Sequence, residues 1–137
     1  MAALIYEESK FDNNKQSWAG AFGIMQLMPK SASRYGIDST ATAEENMHAG
    51  IDKLRRLYVH WFSEISDSTE RIKFILASYN AGLGHVQDAV RLAEKLGKDP
   101  LIWDNNVADC MLLKAKKSYY NDEVVKYGYC RGTEPFN

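Results

Sequence analysis

The sequence predicts an all-α protein that folds as one compact domain of about six or seven helices. Apolar residues recur at spacings of three and four over several stretches, which is the pattern of a helix with one buried face. No segment shows the apolar and polar alternation of a half-buried strand. Short clusters of turn-forming residues separate the helical stretches, so we expect a single domain over residues 1–137.

Three helices are predicted in the first half of the chain. A short helix over residues 4–11 would end at the turn formers of residues 12–14, and a loop with two glycines would follow. Pro29 suits the first position of a helix that Gly36 would stop. A long helix over residues 43–65 presents apolar side chains at helical spacing: Met47, Ile51, Leu54, Tyr58, Trp61 and Ile65.

The second half predicts four more helices. Asp67 would begin a helix that Gly82 would end, with Ile72, Ile75, Leu76 and Tyr79 facing inward. Gly84 would open the turn before a helix over residues 85–96. A further helix would cover residues 105–115, with three apolar residues facing inward: Val107, Met111 and Leu112. Residues 122–127 would form a last short helix.

The composition is that of an ordinary globular domain. Hydrophobic residues make up 45% of the 137 and charged residues 26%, which allows a real core. The net charge of −1 does not indicate binding to nucleic acid or to an anionic membrane surface. Cys110 and Cys130 could pair or could be small buried residues, and the size of the core favours free thiols. The sequence predicts no metal or organic cofactor, since the histidines fall in different helices: His48, His60 and His85.

Glu8 is the residue whose position most strongly suggests chemistry. The apolar residues of the first predicted helix fall on one side: Leu4, Ile5 and Phe11. Glu8 projects from that same side, whereas Glu7 lies nearer the polar edge. A carboxylate aimed into an apolar face is costly to ionise, which makes Glu8 a candidate functional group. The structural alternatives are a buried Glu satisfied by a partner, or a helix that ends early and leaves Glu8 in solvent.

Two further segments place polar groups beside glycines. Residues 17–28 contain the hydroxyl of Ser17, a glycine-containing bend, and then Gln26, whose amide could bind a sugar or amide group. Tyr79 and Asn80 stand at the end of a predicted helix, where the phenol could point into a cleft. Taken alone, each segment is better explained as an ordinary loop or helix end.

Together, these segments resemble the catalytic domain of soluble lytic transglycosylases. The resemblance lies in their order: Glu8 followed by Ser9, then Ser17 with Gly-Ala-x-Gly-x-Met-Gln-x-Met-Pro over residues 20–29, then Tyr-Asn-Ala-Gly over residues 79–82. Ser78 stands where the family usually has Ala. The tail over residues 127–132 is similar to that of the membrane-bound lytic transglycosylase F group. The resemblance covers nearly the whole chain and implies a lysozyme-like fold.

The resemblance implies cleavage of the β-1,4 bond between N-acetylmuramic acid and N-acetylglucosamine in peptidoglycan. The muramyl 6-hydroxyl would attack its own anomeric carbon and leave a 1,6-anhydro ring. Glu8 would be the sole catalytic group, first an acid and then a base. Because the nucleophile is internal, the carboxylate pair of ordinary glycosidases is not needed. An apolar setting raises the pKa of a carboxyl group, which would keep Glu8 protonated at the start.

The resemblance also implies roles for five other residues. Ser17 would hydrogen-bond near the muramyl acetamide or near Glu8. Gln26 and Met28 would line the sugar subsites. Tyr79 would lie close to Glu8 and orient it, and Asn80 would support that turn.

Two other functions fit the same residues. A goose-type lysozyme shares this fold but adds water and leaves a reducing end, and a glycan-binding module would not cleave at all. In each case the partner is a peptidoglycan glycan strand, with no nucleic acid, and we expect a monomer. The resemblance implies the bacterial cell envelope, on the periplasmic side, with outer-membrane attachment through a preceding segment. Since Met1 already lies inside a helical pattern, we expect residues 1–137 to be part of a longer protein.

Overall fold

The computed structural model describes residues 1–131, and the described chain is all-α as predicted. Residue 132 of the tail motif lies outside the described residues. Residues 1–131 form seven α-helices: α1 Ala2–Ser9, α2 Pro29–Arg34, α3 Ala43–Glu64, α4 Ser68–Ala81, α5 Leu83–Lys95, α6 Ala108–Leu113 and α7 Lys117–Tyr120. No strand occurs within this range, although Phe22 makes isolated bridges with Gln16 and Leu27.

The chain divides into two compact units, Met1–Arg55 and Arg56–Asn137. The first unit consists of α1, a long loop, α2 and the first half of α3. Its core includes Ile5, Met25 and Leu27, of which the last two are fully buried. The loop after α1 therefore buries its own apolar side chains in the core of the first unit. Whether residues 1–137 behave as one domain stays a prediction.

The second unit has an aromatic core. The ring centroids of Trp61 and Phe74 lie 5.0 Å apart, and Trp103 contacts Phe74 edge-on at 5.3 Å. Asp67 caps α4 as predicted, because its carboxylate accepts hydrogen bonds from the backbone N–H groups of Thr69 and Glu70. This cap fixes the beginning of the helix that carries the Tyr-Asn-Ala-Gly segment.

Two of the predicted helices are wrong. The helix expected from residue 105 begins only at Ala108, because Asn105 has a left-handed φ of 64° and Asp104 is extended. Residues 122–127 are not helical, and α7 lies earlier, at Lys117–Tyr120. Instead, the carboxylate of Asp88 accepts hydrogen bonds from the backbone N–H groups of Lys126 (2.7 Å) and Tyr127 (2.9 Å). A tertiary contact thus takes backbone donors that a helix would have used.

Several smaller expectations also fail. Gly84 lies inside α5 and does not open a turn before it, since the helix begins at Leu83. Three residues that were expected to face inward are exposed: Tyr58, Ile72 and Leu112. Periodicity assigns them to the apolar side of their helices, but within residues 1–131 their side chains stay open to water. Cys110 and Cys130 are free and buried, which confirms the expectation of unpaired thiols.

Candidate active site

Glu8 lies in the last turn of α1, on the side of the helix that is shielded from water. Ile5 and Ser9 on that side are buried, Glu8 is half-buried, and Glu7 is exposed, as predicted. The expectation for Phe11 is wrong. The helix ends at Ser9, Lys10 follows it with a φ of 54°, and Phe11 is 56% exposed. Glu8 therefore combines shielding by its own helix with access from solvent.

Ser9 anchors the end of α1 to the loop that follows. Its hydroxyl lies 2.7 Å from the carbonyl oxygen of Ile24 and 3.2 Å from that of Ile5, in a buried position. Asn13 adds a second link, because its side-chain oxygen accepts a hydrogen bond from Ile24 N–H at 3.1 Å. These bonds fix the backbone next to Glu8. The sequence analysis gave Ser9 no such role, although its position directly after Glu8 was a usable signal.

Ser17 closes a tight turn in the loop. Its N–H donates to the carbonyl of Ala21 at 2.8 Å, and its hydroxyl oxygen accepts from Ala21 N–H at 2.9 Å. Gly20 N–H donates to the carbonyl of Ser17 at 3.0 Å, and Gly20 adopts a φ of 96° that favours glycine. The side chain of Ser17 is half-buried. The structure shows Ser17 stabilising the turn. Its contact with a sugar acetamide stays a prediction.

The side chain of Gln26 stabilises the same loop. Its side-chain amide donates hydrogen bonds to the carbonyls of Gly23 (2.8 Å) and Lys15 (3.0 Å), and its backbone has a φ of 50°. The amide donor that was expected to bind sugar thus serves the loop itself. Met28 is 41% exposed at the entry to α2, whereas Met25 is fully buried. The sugar contacts of Gln26 and Met28 stay predictions.

Helix α3 holds the buried part of the loop. The side chain of Asn46, almost fully buried, accepts a hydrogen bond from Met25 N–H at 2.7 Å and donates one to the carbonyl of Phe22 at 3.2 Å. One turn further on, Gly50 makes room for Met25, since a Cβ added there would lie 2.6 Å from the Met25 methyl carbon. The sequence analysis missed both residues, because nothing in the local sequence links α3 to a loop more than 20 residues earlier.

Tyr79 and Asn80 lie in the second unit. Tyr79 is 3% exposed in the last turn of α4, and Asn80 is exposed where the chain turns at Gly82, whose φ is 108°. The prediction that Tyr79 lies close to Glu8 stays a prediction. Ser78, which replaces the usual Ala, has a clear partner, because the indole N–H of Trp61 donates to its hydroxyl oxygen at 2.9 Å. Both side chains are buried, so this departure from the usual motif satisfies a buried donor.

The model of the transglycosylase SLT domain matches residues 1–102. The chain belongs to the transglycosylase SLT family. All of the candidate site residues lie in the matched part: Glu8, Ser17, Gln26, Met28, Tyr79 and Asn80. Membership of the SLT family confirms the resemblance from which the roles of these residues were inferred.

Several curated relatives of this SLT chain are named membrane-bound lytic murein transglycosylase F. The protein from Desulfosudis oleivorans is 41% identical over 98% of this chain, and the one from Mannheimia succiniciproducens is 40% identical over 99%. A third, from Maricaulis maris, is 38% identical over 98% of this chain. The chain spans 27 to 29% of the length of these three relatives.

Two further observations on this SLT chain concern metal-binding groups and membrane-spanning helices. Among residues 1–131, no group of three or more His, Cys, Asp and Glu side chains is placed to hold a metal ion. Within the same residues, each helix is too short or too polar to cross a membrane.

The first half of α3 also carries a lysine, Lys53. It lies half-buried on α3, and burial lowers the pKa of its amine, while the negative charge of Glu8 acts in the opposite direction.

Proposed function

We propose that this chain is the catalytic part of a lytic transglycosylase. It would cleave the β-1,4 bond between N-acetylmuramic acid and N-acetylglucosamine in peptidoglycan and leave 1,6-anhydromuramic ends. The observation that carries the proposal is family membership together with the position of Glu8, half-buried on the shielded side of α1 within the matched residues. The curated relatives are named lytic murein transglycosylases, which agrees with this substrate.

In the first step, the protonated carboxyl group of Glu8 donates its proton to the glycosidic oxygen. The bond between that oxygen and the muramyl anomeric carbon breaks, and its electron pair stays with the leaving sugar hydroxyl. The anomeric carbon becomes oxocarbenium-like, and Glu8 is now a carboxylate. The partial shielding of Glu8 favours the protonated form that this step needs.

In the second step, the Glu8 carboxylate takes the proton of the muramyl 6-hydroxyl. The hydroxyl oxygen then bonds to the anomeric carbon and closes the 1,6-anhydro ring. Glu8 returns to its starting protonated form, and no water enters the products. One carboxyl group serves for both steps, whereas glycosidases that use water or a covalent intermediate need two. The neighbouring acids Glu7 and Asp12 are exposed, which fits a mechanism that does not use them.

The other candidate residues would shape the binding groove. Ser17 would present its hydroxyl hydrogen to the muramyl acetamide, since its oxygen already accepts the Ala21 N–H. Met28, which is partly exposed, would form an apolar surface under a sugar ring. Gln26 would keep this loop in shape. Tyr79 would orient Glu8 or stabilise the oxocarbenium-like carbon, and Asn80 would hold the turn at the end of α4.

The parent protein would act in the bacterial cell envelope, on the periplasmic side, with attachment to the outer membrane outside these residues. The word membrane-bound in the names of the relatives supports the envelope. Peptidoglycan glycan strands would be the partner, and we propose that the chain acts as a monomer. Sedimentation equilibrium of the purified chain, where a dimer mass would contradict this, is the direct check.

The test is digestion of purified peptidoglycan followed by mass spectrometry of the muropeptides. The wild-type chain should release 1,6-anhydromuramic ends. Glu8→Gln should lose at least about 100-fold in rate, the usual contribution of a general acid and base. Glu7→Gln is the matched control, because it makes the same change at an exposed position one residue away, and it should keep wild-type activity.

Three results would contradict the proposal. Reducing ends in the products would indicate a goose-type lysozyme reaction with water. Binding to peptidoglycan without cleavage would indicate a binding module. Full activity of Glu8→Gln would show that another group is the acid.

A further inference from the structure

The tail segment that includes Tyr127 is bonded to α5. The carboxylate of Asp88, which is fully buried, accepts hydrogen bonds from the backbone N–H groups of Lys126 at 2.7 Å and Tyr127 at 2.9 Å. Further along the same helix, the Nε–H of Arg91 donates to the carbonyl oxygen of Val124 at 2.8 Å. The backbone that carries Tyr127 is therefore fixed against α5 at two points.

The side chain of Tyr127 packs with one ring face on Gly84, in the first turn of α5. A Cβ atom added to Gly84 would lie 2.7 Å from Cδ1 of the ring and 2.8 Å from both Cδ2 and Cε1. Nearly equal distances to atoms on both sides of the ring place that Cβ over the ring face and not at its edge. Glycine thus lets the ring contact the helix backbone directly. Tyr127 is nevertheless 57% exposed, so the ring face turned away from Gly84 is open to water.

This ring lies beside the turn that ends α4. Gly84 follows Gly82 by two residues, and two trans peptide units span at most about 7.6 Å between Cα atoms. Gly82 closes the Tyr-Asn-Ala-Gly segment, in which Asn80 is exposed. The open face of Tyr127 therefore extends the surface that the proposed function assigns to the substrate.

An exposed aromatic ring in a fixed position is well suited to bind a sugar ring. The face of an aromatic ring carries the negative end of its quadrupole, and it attracts the C–H groups on one face of a sugar. Binding also costs little conformational entropy, because tyrosine has only two side-chain torsions and this ring is already held by its backbone bonds and by Gly84.

We propose that Tyr127 is a further substrate-binding residue, on which one sugar ring of the peptidoglycan glycan strand stacks beside the Tyr-Asn-Ala-Gly segment. This inference rests on the proposed function, because it takes that segment as one wall of the substrate groove. Tyr127 takes no part in proton transfer.

The stacked sugar distinguishes this role from that of the catalytic acid. The Tyr127 ring would contact the sugar in the bound substrate and in the transition state alike. Loss of such a contact raises KM and affects kcat less, whereas loss of the acid lowers kcat. The two roles can therefore be separated by kinetics.

The first test measures KM and kcat on solubilised glycan strands from which the peptides have been removed. Tyr127→Ala should raise KM by roughly two- to tenfold, the range of one aromatic stacking contact, with a smaller effect on kcat. Tyr127→Phe keeps the ring and should have a KM near that of the wild type. Tyr129→Ala is the matched control, because Tyr129 is also 57% exposed but packs edge-on against Tyr120 at 5.6 Å, and its KM should not change. An unchanged KM in Tyr127→Ala would overturn the inference.

Gly84→Ala moves the ring without removing it. The new methyl group would overlap the ring face, so the ring must shift and KM should rise as in Tyr127→Ala. Urea unfolding of each variant separates this effect from a loss of fold. A raised KM at unchanged stability supports the inference, and a wild-type KM in both variants contradicts it.

A binding measurement tests the same contact without cleavage. NMR titration of the peptide-free strands into Glu8→Gln should give a Kd that Tyr127→Ala raises by the same factor and Tyr129→Ala does not. Weaker binding only to strands that still carry peptides would overturn the inference, because the ring would then contact the peptide. Anhydro products with an unchanged KM and Kd in Tyr127→Ala would reject only the role of Tyr127. Binding that depends on Tyr127 in a chain that releases no anhydro ends would reject the proposed reaction and support the stacking contact.

Discussion

Asp88→Asn tests how the second unit tolerates a buried ammonium group without its counter-charge. Asp88 and Lys114 are both fully shielded from water, and 2.7 Å separates the Lys114 Nζ from the Asp88 Oδ2. Burial raises the pKa of Asp88, but hydrogen bonds from Lys114 and from two backbone N–H groups outweigh it and hold that pKa below its usual value. Asparagine has almost the same shape but no charge. The substitution therefore removes the charge and exchanges one acceptor oxygen for an amide donor, while the packing stays nearly the same.

The expected cost is large. Removing one partner of a buried ion pair leaves the other charge uncompensated and destabilises a protein by about 3–5 kcal/mol. Arg91 also donates to the Asp88 carboxylate, so a second cation loses part of its partner. Asp88→Asn combined with Lys114→Met removes both buried charges and should recover a large part of the loss. The single variant should thus be less stable than the double variant.

The assay is urea unfolding at neutral pH, followed by tryptophan fluorescence. Trp61 and Trp103 are buried in the same unit as Asp88 and report its unfolding. Asp109→Asn is the control, because Asp109 pairs with Lys98 at 3.5 Å near the surface and should contribute less than about 1 kcal/mol. A loss below about 1 kcal/mol for Asp88→Asn, or a double variant less stable than the single one, would refute the reasoning.

Three further outcomes are expected. Gly50→Ala should lower the free energy of unfolding by about 1–3 kcal/mol and reduce cleavage, because the new methyl group overlaps the fully buried Met25. A thermal melt that shows equal stability for the variant and the wild type would argue against this packing. Ser78→Ala should cost about 1–3 kcal/mol by leaving the buried indole N–H of Trp61 without its acceptor, and unchanged urea unfolding would contradict that. Burial and the adjacent lysine ammonium lower the pKa of His85 below 6.5. The contribution of neutral His85 to stability is therefore complete above pH 6.5 and declines as the pH falls towards the lower folded-state pKa. Urea unfolding at several pH values should show a smaller loss of stability below pH 6.5 in His85→Gln than in the wild type.

Much of the fold and the site could be predicted because the signals are local. Helix ends depend on residues within one turn, as Asp67 shows by capping α4 through its own neighbours. Glu8 could be recognised because a carboxyl group on the shielded side of α1 conflicts with the pattern around it. The loop after α1 could be assigned because its glycines permit tight turns, and Gly20 and Gly23 adopt positive φ values in the structure.

The failures have a common physical reason. The helix expected over residues 122–127 is absent because Asp88, more than 30 residues earlier, takes two of its backbone donors. Helical periodicity describes only the segment itself and does not account for a distant side chain that takes its backbone N–H groups. The exposed Tyr58 and Ile72 show the same limit, since an apolar side of a helix is buried only where another element covers it.

The sequence by itself determined the all-α class, the positions of most helices and the family to which the chain belongs, and it singled out Glu8 as the candidate acid. These follow from local hydrogen bonding, from side-chain periodicity and from a motif that is read in order. Only the tertiary structure decided how the loop after α1 is held. Asn46 comes from a helix more than 20 residues after that loop, and only folding brings its side-chain amide to the backbone of Met25 and Phe22. The sequence thus names a candidate acid, and the packing of α3 holds the loop that follows it.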